Sequence, residues 1–213
     1  MRSTLAILAL GLGVAAPAAT AQDPRLAARL LEPDRALVQA LLDSARAAGL
    51  PVEPLVDRAL EGASKRATGD RIVAAVRRYW DELALARDAL GTRASTAELT
   101  AGASALRAGA GPDDLRQLRE LRAAQPVTVA AAVLADLVAV GVPADSATAA
   151  VLSVATMVDD AEFLAFRRNV ERDVALGASP IAALGVRLSG LAGLRATTES
   201  APSTSPPSGP RKP

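Results

Sequence analysis

Carboxylates, arginines and hydroxyls must carry whatever chemistry this chain performs, because its 213 residues include neither histidine nor cysteine. That composition excludes a Ser-His-Asp triad, imidazole and thiolate metal sites, a cysteine nucleophile and any disulfide. Paired carboxylates remain, since two of them facing each other across about 5–9 Å suffice for glycoside hydrolysis. Asp and Glu number 23, yet their spacing brings no two together on a cleft. Glu53, Asp57 and Glu61 follow one another at i, i+4 and i+8 and so share a helix face. Three aligned carboxylates have the oxygen ligands that Ca²⁺ takes, but the ion wants them converging, and a straight stripe diverges. With Arg58, Lys65 and Arg66 close by, the stripe reads as a solvated acidic face.

Two further clusters mix cations with apolar groups. Arg77-Arg78-Tyr79-Trp80 has the ingredients of a sugar or nucleic-acid surface, but Tyr79 falls at core spacing with Trp80 at its edge. Arg116, Arg119 and Arg122 make a basic strip beside Leu115, Leu118 and Leu121, where an anionic head group or cell-wall polymer could sit. Asp113, Asp114 and Glu120 supply counter-charge, which favours an ordinary exposed face. No Gly-rich phosphate loop, zincin motif or Ser-x-x-Lys pair occurs. The sequence therefore assigns no catalytic, cofactor-binding or metal-ligating residue. Charge is balanced, 24 basic against 23 acidic residues, and aromatics make up 2%. Neither feature points to nucleic acid.

The elements that would position these residues read as helices throughout. Helix starts are expected at Asp23-Pro24, at Asp34 and near Pro54, the last helix carrying Leu55, Val56, Ala59, Leu60 and Ala63. Leu37, Leu41 and Leu42 give helical spacing up to Gly49. Ile72, Val76, Tyr79, Leu83, Ala86 and Leu90 form an apolar stripe spaced 4-3-4-3-4, closed by Gly91. The opposite face offers Arg77–Asp81 and Arg78–Glu82 pairs at i,i+4. Ser95-Thr96-Ala97-Glu98 and Asp159-Asp160-Ala161-Glu162 are capping boxes; the second opens a helix that turns Phe163, Phe166, Val170 and Val174 inward. Residues 126–158 are strongly apolar around Gly141-Val142-Pro143, which predicts a core hairpin, too short in each half to span a bilayer. Asp136 interrupts it: if buried it needs Arg167 or Arg168 as partner, and otherwise it faces water.

A Gly-to-Pro phrase recurs at Gly49-Leu50-Pro51, Gly109-Ala110-Gly111-Pro112, Gly141-Val142-Pro143 and Gly177-Ala178-Ser179-Pro180. Glycine supplies a left-handed stop and proline opens the next helix, so each phrase makes a tight corner. The fold class is all-α. An irregular multi-helix bundle and a short degenerate α-solenoid of helix pairs both fit this punctuation.

At the N-terminus Arg2 precedes an apolar run, Leu5 to Ala16, and a small-residue site at Ala19-Thr20-Ala21. Residues 1–21 thus read as a cleaved signal peptide, 22–195 as the helical domain and 196–213, rich in Pro and Ser, as a disordered tail. The 50 alanines, with 22 arginines against 2 lysines, fit a GC-rich bacterial genome, hence export to periplasm or medium. Gly49-Leu50-Pro51-Val52-Glu53-Pro54-Leu55, then Ala59-Leu60-Glu61-Gly62-Ala63-Ser64-Lys65, then Arg71-Ile72 resembles a pattern in uncharacterised exported bacterial helical proteins. The resemblance covers about 25 residues and implies no activity. The functional expectation is an exported binding or structural module with a protein or envelope component as partner. Two alternatives stand beside it, a His-free carboxylate hydrolase of the cell envelope and a membrane-surface protein using the 126–158 hairpin.

Overall fold

The computed structural model describes residues 23–199, with side chains through Leu191. The expected signal over 1–21 and the tail beyond residue 199 lie outside the described residues. Among those described the chain is all-α, without a strand. The helices are α1 (Pro24–Ala27), α2 (Asp34–Ala47), α3 (Glu53–Ser64), α4 (Gly69–Leu90) and α5 (Thr96–Ala108). They continue as α6 (Pro112–Leu121), α7 (Thr128–Ala139), α8 (Ala144–Val154), α9 (Asp160–Ala175) and α10 (Pro180–Glu199). Helix α10 overruns the expected tail boundary at residue 196 by one helical turn. Ala196 to Glu199 include neither glycine nor proline, so nothing in their types stops the helix there.

Within this multi-helix bundle, every extensive packing joins helices no more than two apart in the chain. Helices α2, α4, α6, α8 and α10 pack successively as one row, while α5, α7 and α9 stack as a second. Helix α4 is the hub, in contact with α2, α3, α5 and α6. This sequential order is what stacked helix pairs produce. One continuous apolar core nevertheless runs from Leu26 to Leu184.

Helix α4 behaves as its spacing requires: Ile72, Val76, Tyr79, Leu83, Ala86 and Leu90 are all buried. Its partner α5 buries Leu99, Ala101, Gly102, Ala103 and Ala105. Small residues let the backbones approach, and a Cβ on Gly102 would lie 3.2 Å from that of Ala86. Alanine thus substitutes narrow helix spacing for the bulk of aromatic side chains, which explains how a core with so few aromatics closes. On α2 the buried stripe is Val38, Leu42 and Ala45, at i, i+4 and i+7. Leu37, expected on the apolar face, is 48% exposed, because it stands one helical step outside that stripe.

All four Gly-to-Pro phrases form the same corner. The N–H of the glycine bonds three residues back and that of the next residue five back, for instance Gly109 to Leu106 O and Ala110 to Ala105 O, both 3.0 Å. That pair of bonds is the Schellman motif, and it satisfies carbonyls the helix end leaves over. A fifth copy ends α3 with Arg66 at φ 55°, a left-handed position usually taken by glycine. At Gly109 φ is 111° and a Cβ would meet that of Ala144 at 2.9 Å. Gly109→Ala is therefore expected to cost roughly 1–3 kcal/mol, from backbone strain and collision together. Gly177→Ala, with φ 102° but nothing within 4 Å of the added atom, suffers the strain alone. Urea titration of the two variants checks the order; equal midpoints would mean that contact with α8 is not tight.

Candidate functional site

Tyr79 gathers the most charge around an aromatic ring in this structure. The hub position of α4 places it between α3 and α5, and both neighbours send an arginine over it. The guanidinium carbons of Arg58 and Arg107 each lie 5.0 Å from the ring centroid. Such cation–π contacts each contribute on the order of 1 kcal/mol when partly desolvated. Each arginine is also tied to an acid. Arg107 donates to both oxygens of Glu82, with Nε at 3.1 and 3.0 Å, and the paired carboxylate raises its pKa. Arg58 donates to Glu61 at 3.2 Å, and Lys65 donates to the same carboxylate at 2.6 Å. Lys65 first, then Arg58, holds the Glu61 carboxyl below the usual carboxylate range.

Two adjoining concavities open here and share Arg58 and Tyr79. One, about 380 Å³, runs toward Pro54, Asp57, Glu61 and Thr100. The other, about 250 Å³, runs toward Ala75, Arg78, Glu82 and Arg107. The groove joins the acidic stripe of α3 with the Arg77-to-Trp80 motif of α4, two features that the sequence keeps apart. Tyr79 is buried to 7% exposure and Trp80 is half-buried, as their spacing predicts. Arg78 is exposed and forms no ion pair among the described residues. The expected pairs of Arg77 with Asp81 and Arg78 with Glu82 are absent; the second is missing because Glu82 is drawn across to Arg107, where a two-point grip outcompetes a one-point pair along the helix.

The acidic stripe does not converge. Glu53 accepts from Arg25 at 2.7 and 3.0 Å, Glu61 serves Arg58 and Lys65, and Asp57 is exposed. Arg66 is exposed and forms no ion pair among the described residues. No group of three metal-ligating side chains assembles among the described residues.

The basic strip on α6 dissolves in three dimensions. Arg116 pairs with Asp113 on its own helix. Arg119 turns to Glu98, which is buried. Arg122 is itself buried at 3% exposure and donates to the carbonyls of Pro126 (3.1 Å), Val158 (3.1 Å) and Ala155 (3.4 Å), and to Asp160 at 2.5 Å. Its guanidinium also lies 5.3 Å from the Phe163 ring centroid. The signal was present: Leu115, Leu118 and Arg122 fall at i, i+3 and i+7, so Arg122 continues the core stripe of α6.

Glu98 was legible only as a cap. It does complete the box with Ser95, but it also accepts from the Val127 N–H at 3.2 Å and from Arg119. Burial would raise its pKa, but Arg119 and the N–H groups of Ser95 and Val127 outweigh that and hold it at about 2. Nothing in the spacing announces the meeting of Glu98 with Arg119, because it links two helices.

The 126–158 segment is the expected hairpin, α7 and α8 around Gly141, with Val133, Leu134, Leu137, Val151 and Val154 in the core. No helix among the described residues is long and apolar enough to cross a membrane. Asp136 is half-buried and accepts from Arg167 at 2.8 Å, the first of its two candidate partners. Comparison of the chain with protein-family models, curated proteins and solved structures gives no match.

Proposed function

We propose that this chain is an exported helical binding module whose α3–α4–α5 groove receives a polar segment of a protein or envelope partner. The observation that carries this reading is the Tyr79 ring under two fixed guanidiniums, beside the unpaired Arg78 and in an open groove. Groups already held in place lose little freedom on binding, and Arg and Tyr dominate the energetics of protein interfaces. The hydrolase reading has less support. Of the two concavities beside Tyr79, one is lined by two carboxylates, Asp57 and Glu61, and these stand one turn apart on a single helix rather than across a cleft. Glu61 is moreover held ionised by its cations, unlike a general acid. The membrane-surface reading would need apolar side chains that the α7–α8 hairpin commits to the core.

The test uses residues 22–213 immobilised against an envelope extract. Arg78→Glu reverses an exposed charge without touching the core, so the fold should persist. Loss of a partner that wild type retains supports the groove; identical retention by both proteins overturns it. N-terminal sequencing of the protein recovered outside the cytoplasm should begin at Gln22; an intact Met1 would overturn the cleaved signal.

A further inference from the structure

A separate concavity of about 610 Å³ shares no lining residue with the Tyr79 groove. It lies between the α4–α5 turn, the first turn of α5 and the end of α6, with Leu90, Ala94 and Ala123 as apolar lining and Thr92 as a hydroxyl. Its charges are Arg93, Arg119 and Glu98. Glu98 is spent inward. One oxygen accepts from Arg119 and the Val127 N–H, the other from the Ser95 N–H at 2.9 Å and the Ser95 hydroxyl at 3.1 Å, and the side chain is 10% exposed. Arg119 is fixed in the wall by Glu98 on one Nη and by the Gln125 carbonyl, 3.3 Å from the other, with 27% of its side chain still exposed. Arg93, on the turn, is exposed and has no ion pair among the described residues.

The cavity thus carries one net positive charge, with one guanidinium held in advance and a second free to close. A concave, partly apolar wall strengthens such a field, and a guanidinium fork matches the two oxygens of a carboxylate or phosphate. The volume lies in the range of small-molecule sites. We infer that this cavity binds a small oxyanion-bearing molecule, with the oxyanion between Arg93 and Arg119 and the apolar part against Leu90 and Ala123. Glu98 is a positioning residue for Arg119. The inference does not depend on the Tyr79 groove.

Isothermal titration of residues 22–213 at fixed ionic strength tests it, with succinate and inorganic phosphate as probes. The expected result is saturable one-to-one binding of at least one probe, weakened ~10-fold or more by Arg93→Gln and unchanged by Arg78→Gln. Arg93 is exposed, so its variant should melt with wild type. Binding of succinate alone identifies a carboxylate ligand, and binding of phosphate alone a phosphate ester. Failure of both probes to bind saturably, or equal affinity in wild type and Arg93→Gln, overturns the site.

Discussion

Arg122→Leu is expected to lower the melting temperature of the protein by roughly 10 °C. The physical reason is what the guanidinium leaves behind. It closes the end of α6 onto the Pro126 carbonyl, onto the carbonyls of Ala155 and Val158 beyond α8, and onto Asp160 at the start of α9. A buried carbonyl without a donor costs about 1–3 kcal/mol, and those of Ala155 and Val158 lose theirs at once, whereas Pro126 is exposed and its carbonyl can turn to water. Leucine fills part of the space and spares the cost of burying a charge, so the net loss is about 3–5 kcal/mol rather than the full sum. Arg122→Lys should recover less than half of it, because one ammonium cannot reach acceptors arranged around a planar fork. Asp160→Asn should cost only about 1 kcal/mol, since the Asp160 side chain is 42% exposed and water can replace its contacts. Thermal unfolding followed by circular dichroism decides the matter: a melting temperature within a degree or two of wild type in Arg122→Leu would mean that those carbonyls find other donors.

The second large effect is an acid-sensitive one at Glu98. The folded-state pKa is about 2, against an ordinary 4.5. Above pH 4.5 the carboxylate is ionised in both states, and its full contribution, on the order of 3 kcal/mol, is present. As pH falls from 4.5 toward 2 the unfolded chain takes up the proton before the folded one does, so unfolding gains and the contribution drains away. Glu98→Gln keeps the shape and an acceptor for the Val127 N–H but leaves Arg119 without its counter-ion. The stability gap between wild type and Glu98→Gln should therefore be largest near pH 7 and shrink progressively below pH 4.5. The comparison of the two proteins matters, because Asp23, Glu53, Glu61 and Asp173 are also held below the usual carboxylate range by their arginine and lysine partners and destabilise both proteins alike in acid. Urea unfolding at several pH values reads the gap. A gap of constant size from pH 7 to pH 2.5 would show that Glu98 acts through packing alone and not through its charge.

Both residues bear on function through geometry. Arg122 holds the end of α6, on which Arg119 sits, and Glu98 aims Arg119 into the oxyanion cavity. Weakening either should loosen ligand contacts at that cavity before it disturbs Tyr79, whose arginines are anchored through Glu61 and Glu82 on α3 and α4.

How far the sequence could be read depended on whether a feature was local. The α4 stripe, both capping boxes and the four glycine corners depend on residues within two turns of one another, and periodicity reports such relations directly. Leu37 was misplaced because two leucine registers overlap on α2, and only packing against α4 selects the one through Val38. Arg77, Arg78 and Glu82 were paired along their helix, whereas the stronger partner for Glu82 lay on α5. Arg122 was legible in principle, as a cation on an apolar stripe, but its four acceptors come from three different segments.

By itself, then, the sequence determined that the described chain is helical, where most of its helices begin and end, and which apolar side chains of α4 leave water, because backbone bonding, capping and apolar periodicity are decided between near neighbours. The tertiary structure alone decided which helices meet. Through that it decided that Arg58 and Arg107 share Tyr79, that Glu98 commands Arg119, and that a supposed basic strip turns inward. Ion pairs between helices are set by the rotation and separation of packed cylinders, which no spacing along one chain encodes.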